Sequence, residues 1–237
     1  GHAQAQGSSS RQETEPKNEA RQPGNKVVKM IAKIIKQNAR NALALAMQTI
    51  LRGGIAVVPT ETSYGLACDA TNALAVKRVY AIKGRSKQKS LPVIVSSQEM
   101  LEKHAFVSKP ARKLIEKFMP GPLTLVLKKK GSKLPSTLSK QNIAVRISSN
   151  SFARSLTRRC EVPLTATSAN LSGRKPCYSI KEATKIFSEK VDLIIDAGAL
   201  KRVRPSTIVD LTRGKPRILR QGLISEKKIF SALGELK

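Results

Sequence analysis

Along most of this chain, short apolar runs bounded by turn residues alternate with stretches of helical periodicity, which restricts it to folds where helices cover a buried sheet. Residues 38–51 carry a helical pattern that stops at Gly53 and Gly54, and IAVVP then predicts a buried strand closed by Pro59. The spacing predicts a second helix over 72–83, with Val76, Val79 and Ile82 on its apolar face and Gly84 letting the backbone leave it. LPVIVSS predicts a strand, Ser96 with Glu99 predicts a capping box opening another helix, and Ser108 is the expected cap of the helix after that. Met119-Pro120-Gly121-Pro122 predicts a rigid turn before the strand LTLVLKKK. IAVRIS, PLTAT, VDLIIDAG, STIVDL and PRILRQG predict further strands, with helices over 152–159 and after a second capping box at Ser179 and Glu182. The expected class is α/β or α+β, with helices packed on one twisted sheet.

A chain of 237 residues with 40% apolar content can bury one substantial core, and the composition divides it accordingly. Residues 1–26, poor in large apolar side chains, are expected to be a disordered leader. Residues 27–225 are the expected folded domain, and 226–237 a short peripheral tail. Lys and Arg number 44 against 16 acidic residues, a net charge of +28, so polyanions are the expected partners. Aromatics make up only 3%, which argues against a single-strand binder built on base stacking and favours recognition of shape or backbone. Cys68, Cys160 and Cys177 lack a paired metal-ligand spacing, so free thiols in a reducing cytoplasm are expected and a zinc site is not. No apolar run is long enough to span a membrane, and without a secretion signal the sequon at Asn170 carries no weight.

Two short sets of residues carry the chemistry. Lys83 and Arg85, followed by Lys87 and Lys89, place cations where a helix gives way to a loop, and such a loop needs solvent or an anion to offset its self-repulsion. Ser168 and Asn170 sit at the end of a strand-like run in a turn rich in hydroxyl groups, a setting that offers donors to phosphate. GRSKQKS is not a P-loop, because no glycine immediately precedes the lysine of its Lys89-Ser90 pair. Thr60, Thr62, Ser63 and Tyr64 follow a predicted buried strand, the usual edge for a small-molecule pocket in open α/β sheets.

PTETSYGL, the Lys83/Arg85 pair, MPGPLTLVL, AVRIS, TSANLSG, PSTIVDL and ILRQG occur here in an order that resembles the YrdC/Sua5 family of threonylcarbamoyl-AMP synthases. The resemblance covers about residues 39–222 and implies a YrdC-like twisted mixed sheet flanked by helices, with a positively charged central cleft. It implies ATP-dependent condensation of L-threonine with bicarbonate to L-threonylcarbamoyl adenylate and pyrophosphate. A transferase complex would then modify adenosine 37 of tRNAs that read ANN codons. By the same resemblance Lys83, Arg85, Ser168 and Asn170 form the catalytic cleft and bind ATP, with Ser206 and Arg220 as further nucleotide contacts. Thr60, Tyr64 and Arg146 would line the threonine side, and Mg²⁺ would arrive with ATP without a protein metal-ligand set.

The chain departs from the family in one strand. LPVIVSS lacks a histidine that some members carry there, and little chain remains after Gly222, which fits the short, single-domain type. The alternative from charge alone is a non-catalytic binder of duplex RNA or tRNA. A carbamoyl transferase of the hydrogenase-maturation kind is disfavoured, since the cysteine-rich zinc motifs of those longer proteins are missing.

Overall fold

The computed structural model describes residues 31–131 and 133–234, so the expected leader over 1–26 lies outside the described residues. The chain opens with β1 (Lys33–Lys36), α1 (Ala42–Leu51), β2 (Ala56–Pro59), β3 (Tyr64–Ala67), α2 (Ala73–Lys83) and β4 (Val93–Val95). Next come α3 (Gln98–His104), α4 (Lys109–Phe118), β5 (Leu123–Lys128), β6 (Asn142–Ile147) and α5 (Ser151–Cys160). The remainder comprises β7 (Leu164–Thr165), β8 (Thr167–Ser168), α6 (Ile180–Phe187), β9 (Leu193–Asp196), β10 (Thr207–Asp210), β11 (Arg217–Arg220) and α7 (Glu226–Leu233).

Two mixed sheets form where one was expected, ordered β1-β9-β2-β3-β8 and β11-β10-β5-β6-β4-β7. In the first, β2 runs parallel to β9 and antiparallel to β3; in the second, β5 runs parallel to β10 and antiparallel to β6. The predicted strand PLTAT is the reason for the split. It breaks at Ala166 into β7 and β8, which belong to different sheets. Backbone bonds pin the crossover: Thr165 N donates to Cys68 O at 2.9 Å and Ala166 N to Pro92 O at 2.8 Å. The Thr165 hydroxyl donates to Leu66 O at 3.1 Å and accepts from Cys68 N at 3.0 Å. A buried segment that changes sheets thus leaves few backbone groups unpaired.

Burial follows the sequence pattern. One core gathers Leu66, Val79, Val93, Leu125, Val145 and Phe187 beneath both sheets. A second packs Ala42, Ala46 and Ile50, spaced as one stripe of α1, with Phe152 and Leu156 of α5 over β2 and β9. On β5 and β6 the odd-numbered Leu123, Leu125, Leu127, Ile143, Val145 and Ile147 are buried, which turns Thr124, Val126, Ala144 and Arg146 to the opposite face.

Several predicted boundaries shift. The cap of α3 is Ser97, whose hydroxyl accepts from Met100 N at 3.3 Å; Ser96 lies one residue early, after the end of β4. The box at Ser179 and Glu182 forms with both reciprocal bonds. Within the stretch expected to be a peripheral tail, α7 forms over Glu226–Leu233, packs against α4 and fully buries Ile229, while residues 235–237 lie outside the described residues. Among the described residues no helix is long and apolar enough to cross a membrane.

Candidate active site

The cleft lies where the crossover between the sheets meets the cationic end of α2. Asn72 caps that helix by accepting from Leu74 N at 3.0 Å and Ala75 N at 3.1 Å. Gly84 closes it in the left-handed region, with φ 59°. The closure leaves Lys83 as the last helical residue, and it is buried at 2% exposure instead of standing in a loop. Its ammonium donates to Ser168 O at 2.5 Å, Asn170 O at 3.0 Å and Asn170 Oδ1 at 2.7 Å. The Ser168 hydroxyl donates to the same Asn170 Oδ1 at 2.8 Å, and the Asn170 amide reaches Arg174 O. The lysine therefore clamps the turn that carries the other two residues, and the pairs predicted from distant segments meet.

Burial and the neighbouring Arg85 push the Lys83 ammonium down to about 8. Its three acceptors pull the other way, toward the cation.

Around this clamp opens a cleft of about 650 Å³ lined by Arg85, Lys89, Arg146, Arg174 and Arg220 among others, and by no Asp or Glu. Arg85 is steadied by donating to Lys89 O and Ser90 O, both at 3.1 Å. Lys83 does not line the cleft, so the cation that the first pair presents to it is Arg85.

On the sheet side, Arg146 projects from β6 and forms a buried ion pair with Glu61, Nη1 to Oε1 at 3.2 Å. The Ser148 hydroxyl donates to the other Glu61 carboxylate oxygen. Burial pushes the Arg146 guanidinium down and Glu61 partly restores it. Arg220 is likewise pushed down, by burial and then by Arg146. Its guanidinium donates to Ser206 O at 2.9 Å and Ser206 Oγ at 3.0 Å, and Ser206 Oγ shares a 2.9 Å bond with Thr124 Oγ1. Gly222 is required just beyond, because a side chain there would strike the backbone of Pro205, Ser206 and Thr207.

Thr60 is turned inward. Its hydroxyl donates to Ser63 O at 2.7 Å, closing the 60–63 turn. Tyr64 is fully buried, and its hydroxyl accepts from Ala197 N and donates to Gly198 O, both at 2.9 Å. Both residues contribute to the cleft wall, yet their polar atoms are committed to backbone. Thus Arg85, Ser168, Asn170, Arg146, Ser206 and Arg220 all border one space, with Lys83 behind them. Sequence reasoning passed over Glu61, Ser148 and Arg174. The first two lie in the motifs PTETSYGL and AVRIS, but nothing local in either motif marks that their side chains meet around Arg146.

The Sua5/YciO/YrdC family model, described as "Telomere recombination", matches residues 48–222. The chain belongs to this family. A Methanocaldococcus jannaschii protein named "Putative threonylcarbamoyl-AMP synthase" is 38% identical over 205 residues, covering 86% of this chain and 97% of that one. A Pyrococcus abyssi "Threonylcarbamoyl-AMP synthase" is 35% identical over 198 residues, but the chain spans only 58% of its length. The crystal structure of Pyrococcus abyssi Sua5 complexed with L-threonine superposes with TM-score 0.81 at 33% identity, covering 88% of this chain and 62% of that one. The Sua5/YciO/YrdC fold accounts for the two mixed sheets flanked by helices, the arrangement that brings the ends of β3, β8 and β10 to the same cleft.

Proposed function

We propose that this protein is an L-threonylcarbamoyladenylate synthase, a nucleotidyltransferase that joins L-threonine, bicarbonate and ATP with release of pyrophosphate. The observation that carries the reading is the cleft of five cations without a carboxylate, built against the Lys83–Ser168–Asn170 clamp. In the reaction the threonine amine combines with bicarbonate to give an N-carboxylate and water. An oxygen of that carboxylate attacks the α-phosphorus of ATP, and the bond to the β-phosphate oxygen breaks to release pyrophosphate. Carboxylate and triphosphate repel each other on approach, so cations fixed in advance and partly shielded from water lower the barrier most effectively.

Within this scheme Arg85, Lys89 and Arg174 hold the phosphate chain, and Ser168 and Asn170 orient the adenylate. Lys83 acts as a positioning residue, since its ammonium already has three acceptors in the turn. Arg146, held by Glu61, faces the threonine carboxylate, while Ser206 and Arg220 steady the nucleotide from the β10–β11 side. With no carboxylate lining the cleft, Mg²⁺ would be carried by phosphate oxygens and water and would neutralise triphosphate charge. The product passes in the cytoplasm to a transferase complex that modifies tRNA, and the surplus of positive charge equips this chain to hold that RNA.

Labelled bicarbonate tests the assignment. Incubation with ATP and threonine gives a labelled adenylate, absent when any one substrate is withheld. A folded preparation that forms no such product overturns the reading.

A further inference from the structure

A second cleft, of about 620 Å³, shares no lining residue with the first. It sits where β5 ends, between the α3–α4 connection and the β10–β11 hairpin. Four cations line it, Arg112, Lys128, Lys130 and Arg213, against the single carboxylate of Glu102. Glu102 is already engaged by Arg112 at 3.0 Å. Among the described residues Lys128 and Arg213 form no ion pair. The charge left over is positive.

In the same cleft Phe106 is 59% exposed, in a chain whose aromatic content is only 3%. It is held rigidly. Phe106 N donates to Lys128 O at 2.9 Å, and Lys130 N donates to His104 O at 2.9 Å, so the α3–α4 connection is stitched to the extension of β5. The Lys130 ammonium lies 5.5 Å from the ring centroid and is itself fixed by donating to Glu102 O at 2.6 Å. An exposed ring with a cation at its face, beside two unpaired cations, matches how proteins hold single-stranded nucleic acid. The ring stacks on a base and the cations take the flanking phosphates. A volume of 620 Å³ suits one nucleotide with its phosphates. A polyanion of carboxylates alone, such as polyglutamate, would satisfy the charges but leave the ring uncovered.

We propose that the cleft around Phe106, Lys128 and Arg213 binds a single-stranded stretch of RNA, with one base stacked on Phe106. Aromatics are scarce over the whole chain, but the fold places one of them where the charge is. The proposal rests on RNA being a partner of this chain, and not on the adenylation step.

Fluorescence anisotropy with a labelled twelve-nucleotide single-stranded RNA, over a series of NaCl concentrations, tests it. Phe106→Ala should raise the Kd about five-fold or more, with Phe106→Tyr restoring it. Lys128→Gln and Arg213→Gln should each flatten the dependence of log Kd on log salt by about 0.7 for every phosphate no longer neutralised. A duplex of equal length should respond little to Phe106→Ala. Affinity unchanged in all three variants overturns the site while leaving RNA as a partner. Absence of RNA binding by the wild type at low salt overturns both. Polyglutamate of matched charge displacing the RNA as well as unlabelled RNA does assigns the cleft to an acidic protein instead. Each variant is checked by its thermal midpoint and by threonine-dependent pyrophosphate release, neither of which should move.

Discussion

Glu61→Gln removes the carboxylate charge opposite Arg146 while keeping the size and an acceptor for Ser148. The two side chains are only 7% and 12% exposed and their charges stand 3.2 Å apart. At an effective dielectric of about 20 such a pair attracts by roughly 5 kcal/mol, and leaving one member of a buried pair without its partner costs about 3–5 kcal/mol. Arg220, which lies close enough for its own guanidinium to be pushed down by the like charge of Arg146, adds to the penalty. A loss of about 4 kcal/mol in a domain of this size lowers the thermal midpoint by about 8–16 °C. Arg146→Met in the Glu61→Gln background should recover part of that loss, because a buried pair replaced as a whole is close to neutral. Circular dichroism melts of the two single variants and the double variant read the coupling directly. A midpoint within about 2 °C of wild type for Glu61→Gln, or a double variant whose loss equals the sum of the singles, refutes the reasoning.

Two further outcomes follow from buried titratable groups. Lys83 titrates near 8 in the folded chain against 10.5 for the free side chain. Between those values the unfolded chain binds the extra proton, so this lysine makes the fold more stable as the pH rises, by about 1.4 kcal/mol per unit. Urea unfolding at pH 7.5 and 9.5 should show the wild-type stability growing relative to Lys83→Met, and a constant difference would contradict the buried amine. Burial pushes Cys68 up to about 12 and Cys160 and Cys177 up to about 11. All three should resist a thiol reagent at pH 8 until the protein is unfolded, and rapid labelling of the native chain would place at least one at the surface.

How much of this was legible in the sequence depended on whether the signal was local. The strand stretches LTLVL and IAVRI keep one face buried throughout, and Asn72, Ser108 and Ser179 cap their helices with adjacent backbone, so the sequence carried those elements. β1 escapes sequence reasoning because KIIK is a four-residue edge strand flanked by lysines, with almost no buried face. β3 begins inside a serine- and threonine-rich turn and contains a glycine, both of which mask strand pattern. α7 hides behind lysines, since a single residue, Ile229, anchors its buried side. The Lys83/Arg85 and Ser168/Asn170 pairs were recognisable, but the division of labour between them was not. Whether a lysine faces solvent or folds back on a carbonyl depends on a strand that pairs with β3 only after the chain has crossed between sheets. The Glu61–Arg146 pair is of the same kind, set by the docking of two segments that share no local pattern.

Threonine-dependent release of pyrophosphate from ATP, compared between the wild type, Arg85→Ala and Lys128→Ala, bears most directly on the claim that a cleft of fixed cations performs adenylation. Arg85 lines that cleft and Lys128 does not, although both are cations. The account predicts a fall of about a hundredfold or more in turnover for Arg85→Ala and near wild-type turnover for Lys128→Ala. Equal losses in the two variants, or release that does not require threonine, would contradict it.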